Sequence, residues 1–214
     1  MKANDLRFAQ WFVLVNAAVP GALLAWDAAH RQLGANPVNF AILTTGLLAL
    51  IFLLLTLLVT PLRSLTGWNW IIFSRRTLGL YAFFYAAAHF LIFFFLDRGG
   101  NLASTLSEMV KRNYLIVGSL GLFVMLPLAV TSTNAMIKRL GGQRWRALHR
   151  LTYIAAIAGV IHYYMQSRKD VRQPLAFAAI LVLLLGYRLL VAARKSQSAP
   201  VKAAAAKPSS TRPA

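Results

Sequence analysis

Four histidines are the side chains of this sequence best suited to chemistry, and two of them share one apolar stretch. The stretch WRALHRLTYIAAIAGVIHYY, residues 145–164, carries His149 near one end and His162 near the other, while His30 and His89 lie earlier in the chain. The sequence contains no cysteine, which excludes disulfides, cysteine-ligated iron–sulfur clusters and covalently attached c-type haem. Imidazoles in apolar surroundings can ligate haem iron, relay protons or form hydrogen bonds between helices.

The elements that must position these histidines are membrane helices. Of the 214 residues, 58% are hydrophobic and 13% are charged, and the mean hydropathy is +0.60, which is typical of an integral membrane protein. Backbone groups in lipid have to be bonded internally, so long apolar segments are expected to be helical. Six such segments cover residues 8–26, 40–60, 77–96, 114–133, 148–165 and 174–192, the first interrupted by Pro20 and Gly21. We therefore predict an all-α polytopic membrane protein, built as a six-transmembrane-helix bundle.

The distribution of basic residues predicts how this bundle is oriented. Six helices place both termini on one side, and that side carries fourteen Lys and Arg residues against seven on the other. Because basic residues concentrate in cytoplasmic loops, both termini are expected to be cytoplasmic. The net charge of +18 is explained in the same way, and no nucleic-acid partner is expected. Residues 1–195 form the predicted membrane domain, and residues 196–214, rich in Ala, Pro, Ser and Lys, form a predicted disordered cytoplasmic tail.

The topology assigns a depth to three of the histidines. With a rise of about 1.5 Å per residue, His89 lies about 10 Å below the outer end of the third helix, and His162 lies near the outer end of the fifth. His149 lies about 20 Å lower, at the cytoplasmic end, and on an ideal helix it points about 140° away from His162. The spacing therefore predicts an outer pair, His89 and His162, and separates His149 from it.

Small residues share the helical face of each outer histidine. They are Ala82 and Ala86 beside His89, and Ala155, Ala158 and Gly159 beside His162. Such residues leave room for a flat macrocycle, and they also permit close helix packing. Two imidazoles facing each other across a bundle at one depth favour a haem that is gripped from both sides.

Three stretches carry a family resemblance. They are SRRTLGLYAFFYAAAHF at 74–90, TPLR at 60–63 and TSTNAMIKRLGGQRWRALHRLTYIAAIAGVIHYY at 131–164. The last is the most specific, since it joins a Thr-Ser helix end, a basic loop, a tryptophan, an LHRL histidine and a later HY pair. The chain resembles the ferric-reductase-type transmembrane domain, and more closely the MsrQ (YedZ) family, over about residues 1–195. That family is the haem-binding membrane subunit of periplasmic methionine sulfoxide reductase systems.

The resemblance implies particular cofactors and ligands. It implies haem b, one or two in number, with His89 and His162 as the axial pair of an outer haem and His149 as a candidate ligand of an inner one. On the third helix, Arg75 and Arg76 stand where a histidine opposite His149 would be needed. Arginine there suits haem propionates or a flavin phosphate. FMN is the second cofactor that the resemblance implies.

The same resemblance implies a function in electron transfer rather than self-contained catalysis. Electrons would pass from the quinone pool or a cytosolic flavin reductase, across the bacterial inner membrane and its lipid, to a periplasmic molybdopterin-containing subunit that reduces methionine sulfoxide in proteins. Two other interpretations stay open, a stand-alone ferric or metal reductase and a histidine-relay proton channel or transporter. The chain has only five acidic residues, none central to a helix, which disfavours the proton relay.

Overall fold

A computed structural model describes residues 3–167 and 170–197 of the chain. These residues form nine α-helices and no strand, so the all-α prediction is confirmed. In chain order the helices are α1 Ala3–Ala29, α2 Pro37–Thr66, α3 Ser74–Ile92, α4 Leu102–Lys111, α5 Asn113–Val130, α6 Asn134–Leu140, α7 Gly142–Leu148, α8 Leu151–Gln166 and α9 Arg172–Gln197. Of the predicted cytoplasmic tail, only residues 196 and 197 belong to the described part, so that prediction lies almost wholly outside it.

Five helical segments of the described residues are long and apolar enough to cross a membrane. They are Asn4–Ala29, Pro37–Thr66, Asn69–Asp97, Asn113–Val130 and Arg172–Arg194. The third of them is α3 extended by a 3₁₀ turn before it, Asn69–Phe73, and a π-helical turn after it, Phe93–Asp97. Helix α8 stands where the predicted fifth span lies, but its 16 residues are fewer than the about 20 that span a bilayer. The total of six spans, which requires α8 to be one of them, and the cytoplasmic position of the termini therefore stay predictions.

Helix α2 is the central helix of the bundle. It begins at Pro37, where the Asn36 side chain caps it by accepting a hydrogen bond from the Asn39 amide, and it ends at Gly67 with a left-handed φ of 73°. Leu57 of α2 is fully buried, and α2 packs most extensively against α3, whereas α5 packs most extensively against α8. These two helix pairs, α2–α3 and α5–α8, carry the candidate site.

Helix α1 continues through Pro20 and Gly21, at the place where the sequence is least typical of a helix. The Tyr85 hydroxyl of α3 accepts a hydrogen bond from the Gly21 amide and donates one to the Ala17 carbonyl, both at 2.9 Å. A side-chain hydroxyl therefore joins an amide and a carbonyl that are one helical turn apart, next to a proline that cannot donate to the helix. A β-carbon on Gly21 would lie 2.9 Å from the Tyr85 oxygen, so glycine permits this contact.

Candidate functional site

His89 of α3 is held by the backbone of α2. Its Nδ1 lies 2.8 Å from the carbonyl oxygen of Ile42. A carbonyl can only accept, so Nδ1 carries the proton and Nε2 keeps an unprotonated lone pair. Gly46, four residues after Ile42, makes the approach possible, because a β-carbon there would lie 2.9 Å from Nδ1.

His162 of α8 is held by α5 in the same way. Its Nδ1 lies 2.7 Å from the carbonyl oxygen of Tyr114, so this imidazole also carries its proton on Nδ1. The residue four positions after Tyr114 is Gly118, and a β-carbon there would lie only 2.6 Å from Nδ1. Each histidine thus donates to a carbonyl of the neighbouring helix and lies against a glycine one turn further along that helix.

The two imidazoles lie close together, across the interior of the bundle. The centroids of the His89 and His162 rings are 6.0 Å apart, and the ring planes are inclined by 88°. A metal–imidazole bond of about 2 Å, plus about 1 Å from the nitrogen to the ring centre on each side, gives about 6 Å between two rings that share one metal. The separation therefore fits two imidazoles that would hold one metal atom between them.

A cavity of about 450 Å³ lies around these two rings. This volume is in the range of about 300–1,000 Å³ that is usual for cofactor pockets. Its deep wall is built of small and apolar residues, among them Ala86, Leu50, Met125, Ala155 and Gly159. No cluster of three or more His, Asp or Glu residues that could hold a bare metal ion is found in residues 3–167 and 170–197. Two neutral imidazoles in a largely apolar cavity fit a haem, whose macrocycle supplies the remaining iron ligands.

Charged residues surround the outer mouth of this cavity. Glu108 of α4 pairs with both Arg98 and Arg112, and Arg98 also pairs with Asp97 at 2.7 Å. Glu108 thereby links α4 to the end of the π-helical turn and to the start of α5. The Arg112 guanidinium also donates a hydrogen bond to the Tyr114 hydroxyl, which raises the pKa of Arg112. The mouth is therefore polar and its charges are paired, whereas the deep wall is apolar.

Comparison with known proteins agrees with this architecture. Residues 45–160, which include most of α2, all of α3 and α5 and the first ten residues of α8, match the family of ferric reductase like transmembrane components. The "Protein-methionine-sulfoxide reductase heme-binding subunit MsrQ" of Ralstonia nicotianae is 45% identical over 186 residues, covering 86% of this chain and 84% of that protein. The proteins of the same name from Herminiimonas arsenicoxydans and Rhodospirillum rubrum are 44% and 47% identical, covering 89% and 92% of this chain and 88% and 95% of their own lengths. This chain belongs to the MsrQ family.

This MsrQ family member has a second, inner cavity of about 230 Å³. Leu53 and Met125 line both cavities and so form a common wall between them. The remaining predicted site residues, Arg75, Arg76 and His149, all line the inner cavity. The structure thus places the five predicted site residues in two neighbouring cavities, with one histidine pair in the outer cavity and a histidine with two arginines in the inner one.

His149 has surroundings unlike those of the outer pair. It lies in the turn between α7 and α8, stacked on the Trp145 ring at 4.0 Å between centroids, and its Nε2 lies 3.2 Å from the Thr131 hydroxyl. The Thr131 hydroxyl already donates to the Pro127 carbonyl at 2.6 Å, so His149 Nε2 is the donor in the contact between them. His149 Nε2 therefore points at a hydroxyl and carries a proton, whereas the Nε2 atoms of His89 and His162 do not.

The glycines that receive the outer imidazoles are the part of this MsrQ site that sequence reasoning missed. The small residues predicted to flank the site lie on the histidine-bearing helices, whereas Gly46 and Gly118 lie on the facing helices. A signal for them was available, because glycine inside an apolar helix is unfavourable and calls for a reason. The carbonyl acceptors could not have been found, since a backbone carbonyl leaves no mark in the sequence.

Proposed function

We propose that this chain is a membrane b-type cytochrome of a methionine sulfoxide reductase system. In this proposal it carries electrons from the quinone pool or a cytosolic flavin reductase across the bacterial inner membrane. The acceptor is a periplasmic molybdopterin-containing subunit that reduces methionine sulfoxide in proteins. The observation that carries the proposal is the pair of imidazoles on α3 and α8, each with an unprotonated Nε2, whose ring centroids are 6.0 Å apart.

His89 and His162 are the residues that would hold haem iron in the outer cavity, and the bound iron would supply one-electron redox chemistry. The carbonyls of Ile42 and Tyr114 fix the imidazole tautomers and increase the basicity of the ligating nitrogens. The apolar wall excludes water from the site, and the paired charges at the mouth face the outer surface, where the partner subunit would dock.

The inner cavity is proposed as the site nearer to the electron donor. Arg75 and Arg76 can bind an anionic group, which suits a haem propionate or the phosphate of FMN. His149 is the candidate ligand of a second haem, although in this structure its Nε2 donates to the Thr131 hydroxyl. An inner haem would therefore require this bond to break, and the number of haems, one or two, follows from whether it does.

The proposed orientation has six membrane helices and cytoplasmic termini. It rests on two observations. Helix α8 packs along α5, and basic residues are in excess on the side of the membrane that holds the termini and the segment between α5 and α8, which contains α6 and α7. With 16 residues, α8 would cross the about 30 Å hydrocarbon core only with help from the turn that precedes it. In this orientation the outer cavity opens toward the periplasm and the inner cavity toward the cytoplasm.

The test is the reduced-minus-oxidised optical spectrum of detergent-purified protein, with haem iron measured per chain. We expect sharp low-spin b-type bands in the wild type and loss of most haem in His89→Ala and in His162→Ala. His149→Ala should keep a substantial part of the haem. His30→Ala is the matched control, because His30 is exposed and its ring stacks on Trp26.

The outcomes separate the alternatives. Equal haem loss in the three variants at positions 89, 149 and 162 would overturn the division into outer and inner sites. A colourless wild type, purified after growth with ample haem, would refute the cytochrome and favour the proton relay. Fast reduction of a ferric chelate by protein in liposomes, without the partner subunit, would favour the stand-alone metal reductase.

A further inference from the structure

Arg188 of α9 is a cation inside a membrane-spanning segment, a position where a charged side chain is costly and is often functional. Its Nη1 donates to the Tyr153 hydroxyl of α8 at 2.9 Å, and its Nη2 donates to the Leu57 carbonyl of α2 at 2.7 Å. The guanidinium carbon also lies 5.4 Å from the centre of the Tyr153 ring. One side chain thus joins three helices of the bundle.

A proline explains why the carbonyl of Leu57 is available. Pro61 has no amide proton, so the carbonyl four residues before it has no partner within α2. Arg188 supplies the missing donor. Both acceptors of Arg188 are neutral, however, and a neutral donor of similar length could satisfy them as well. The hydrogen bonds therefore explain why a donor stands at position 188, but they do not explain why it is charged.

The charge of Arg188 has no counter-ion among the described residues. Arg188 takes part in none of the ion pairs of the outer mouth, where Asp97 and Glu108 pair with Arg98 and Arg112. The Nε of Arg188 is buried and has no hydrogen-bond partner. An unpaired charge in a medium of low dielectric constant acts over a long range, because little solvent screens it.

Arg188 does not line the inner cavity itself, but residues close to it do. The residues that precede its two acceptors in the sequence, Thr56 and Thr152, both line that cavity. Arg75 lines it as well, is near enough for the two guanidinium charges to repel each other, and has no hydrogen-bond or ion-pair partner in the described part of the chain. The described residues that line the inner cavity thus include two arginines and no Asp or Glu, and Arg188 adds a further positive charge near them.

We propose that Arg188 is a positioning residue whose charge, rather than its hydrogen bonds, raises the reduction potential of haem bound in this bundle. The inference rests on the proposed function. Reduction of ferric to ferrous iron takes one electron from the donor, a quinol or a reduced flavin, and lowers the charge of the site by one. A nearby positive charge stabilises the reduced form, and Coulomb's law makes the effect larger for a group in the inner cavity than for one in the outer cavity.

The experiment is a potentiometric titration of the purified protein, followed through its haem absorption bands. Arg188→Gln removes the charge and keeps a neutral donor, whereas Arg188→Lys keeps the charge and loses the planar fork. Arg194→Gln removes an exposed cation from the same helix and serves as the control. We expect a lower midpoint potential of at least one haem in Arg188→Gln, and wild-type midpoints in Arg188→Lys and Arg194→Gln.

Two results would overturn the inference. The first is an unchanged midpoint potential in Arg188→Gln. The second is an equal fall of the midpoint potential in Arg188→Gln and Arg188→Lys, because the lysine keeps the charge and the hydrogen bonds would then be responsible. If Arg188→Gln does not fold, Arg188→Lys and Tyr153→Phe carry the test, because both keep the charge and alter a hydrogen bond. A lowered potential in either of them would then refute the role of the charge. Absence of haem bands in the wild type would instead refute the proposed function.

Discussion

A single methyl group at Gly118 should loosen the outer haem. In Gly118→Ala the new β-carbon would lie 2.6 Å from His162 Nδ1 and 2.7 Å from Cε1. Ordinary contacts between such atoms are about 3.5–4.0 Å, so the imidazole has to move by about 1 Å. Its hydrogen bond to the Tyr114 carbonyl, now 2.7 Å, would then exceed the length at which such a bond is counted.

The size of the effect follows from what that bond does. A hydrogen bond of this kind contributes about 1 kcal/mol net, and loss of a group that orients a metal ligand typically lowers metal affinity by about 10- to 100-fold. We therefore expect Gly118→Ala to lose haem about 10- to 100-fold more readily than the wild type on dilution or competition. Gly46→Ala should act in the same direction but more weakly, because its β-carbon would lie 2.9 Å from His89 Nδ1.

Two alanine variants serve as controls for the assay, which measures haem per chain and the rate of haem loss to a soluble haem-binding protein. Gly121→Ala adds the same methyl group to the cavity wall, but its nearest contacts, the Ala158 β-carbon at 3.4 Å and the Ala155 carbonyl oxygen at 4.0 Å, are ordinary van der Waals contacts. Gly186→Ala meets nothing within 4 Å and reports only the higher helix propensity of alanine. Wild-type haem retention in Gly118→Ala, or equal losses in Gly118→Ala and Gly121→Ala, would refute the idea that glycine admits the imidazole.

Two further predictions concern the stability of the bundle. Glu108→Gln breaks the pairs with Arg98 and Arg112 at the outer mouth. Thermal unfolding in detergent should show that the free energy of unfolding falls by about 1 kcal/mol at low salt, and by less at high salt. A fall that does not depend on salt would contradict the electrostatic explanation. Tyr85→Phe leaves the Gly21 amide and the Ala17 carbonyl without the hydroxyl that joins them, which should lower the stability of the bundle by about 1–3 kcal/mol. Amide hydrogen exchange should therefore accelerate in α1 around Gly21. Unchanged exchange there would show that the hydroxyl is dispensable.

The sequence was sufficient to predict the helical class and the positions of the long helices, because apolar length and helix rise are local properties. It was insufficient for the short helices. Residues 102–111, 134–140 and 142–148 lie in what the hydropathy pattern treats as loops, and they form α4, α6 and α7. The predicted fifth segment, 148–165, begins too early, since His149 lies in a turn and α8 starts at Leu151. Hydropathy does not detect a change of helix axis between two helical stretches.

Depth along a helix explains how much of the candidate site was predictable. Counting residues from helix ends placed His89 and His162 in the same layer, and the structure brings their rings together. Counting cannot say which helices face each other, so it could not identify Ile42, Gly46, Tyr114 or Gly118 as the surroundings of those rings. The role of Arg188 also depended on the third dimension, because its partners Leu57 and Tyr153 lie 131 and 35 residues away in the sequence.

The repeated arrangement around the two outer histidines shows why the site can exist before any cofactor arrives. His89 and His162 are each held by the helix pair with the most extensive packing, α2–α3 and α5–α8. Each imidazole is therefore fixed by a rigid local contact, and the 6.0 Å between the rings depends on how the two pairs are docked. Leu50 and Leu53 of α2 and Ala155 and Ala156 of α8 belong to one buried hydrophobic core, which supports that docking. Because packed cores resist deformation, the bundle would hold the two imidazoles at a separation that fits one iron atom, so that binding in the proposed site would not have to order them.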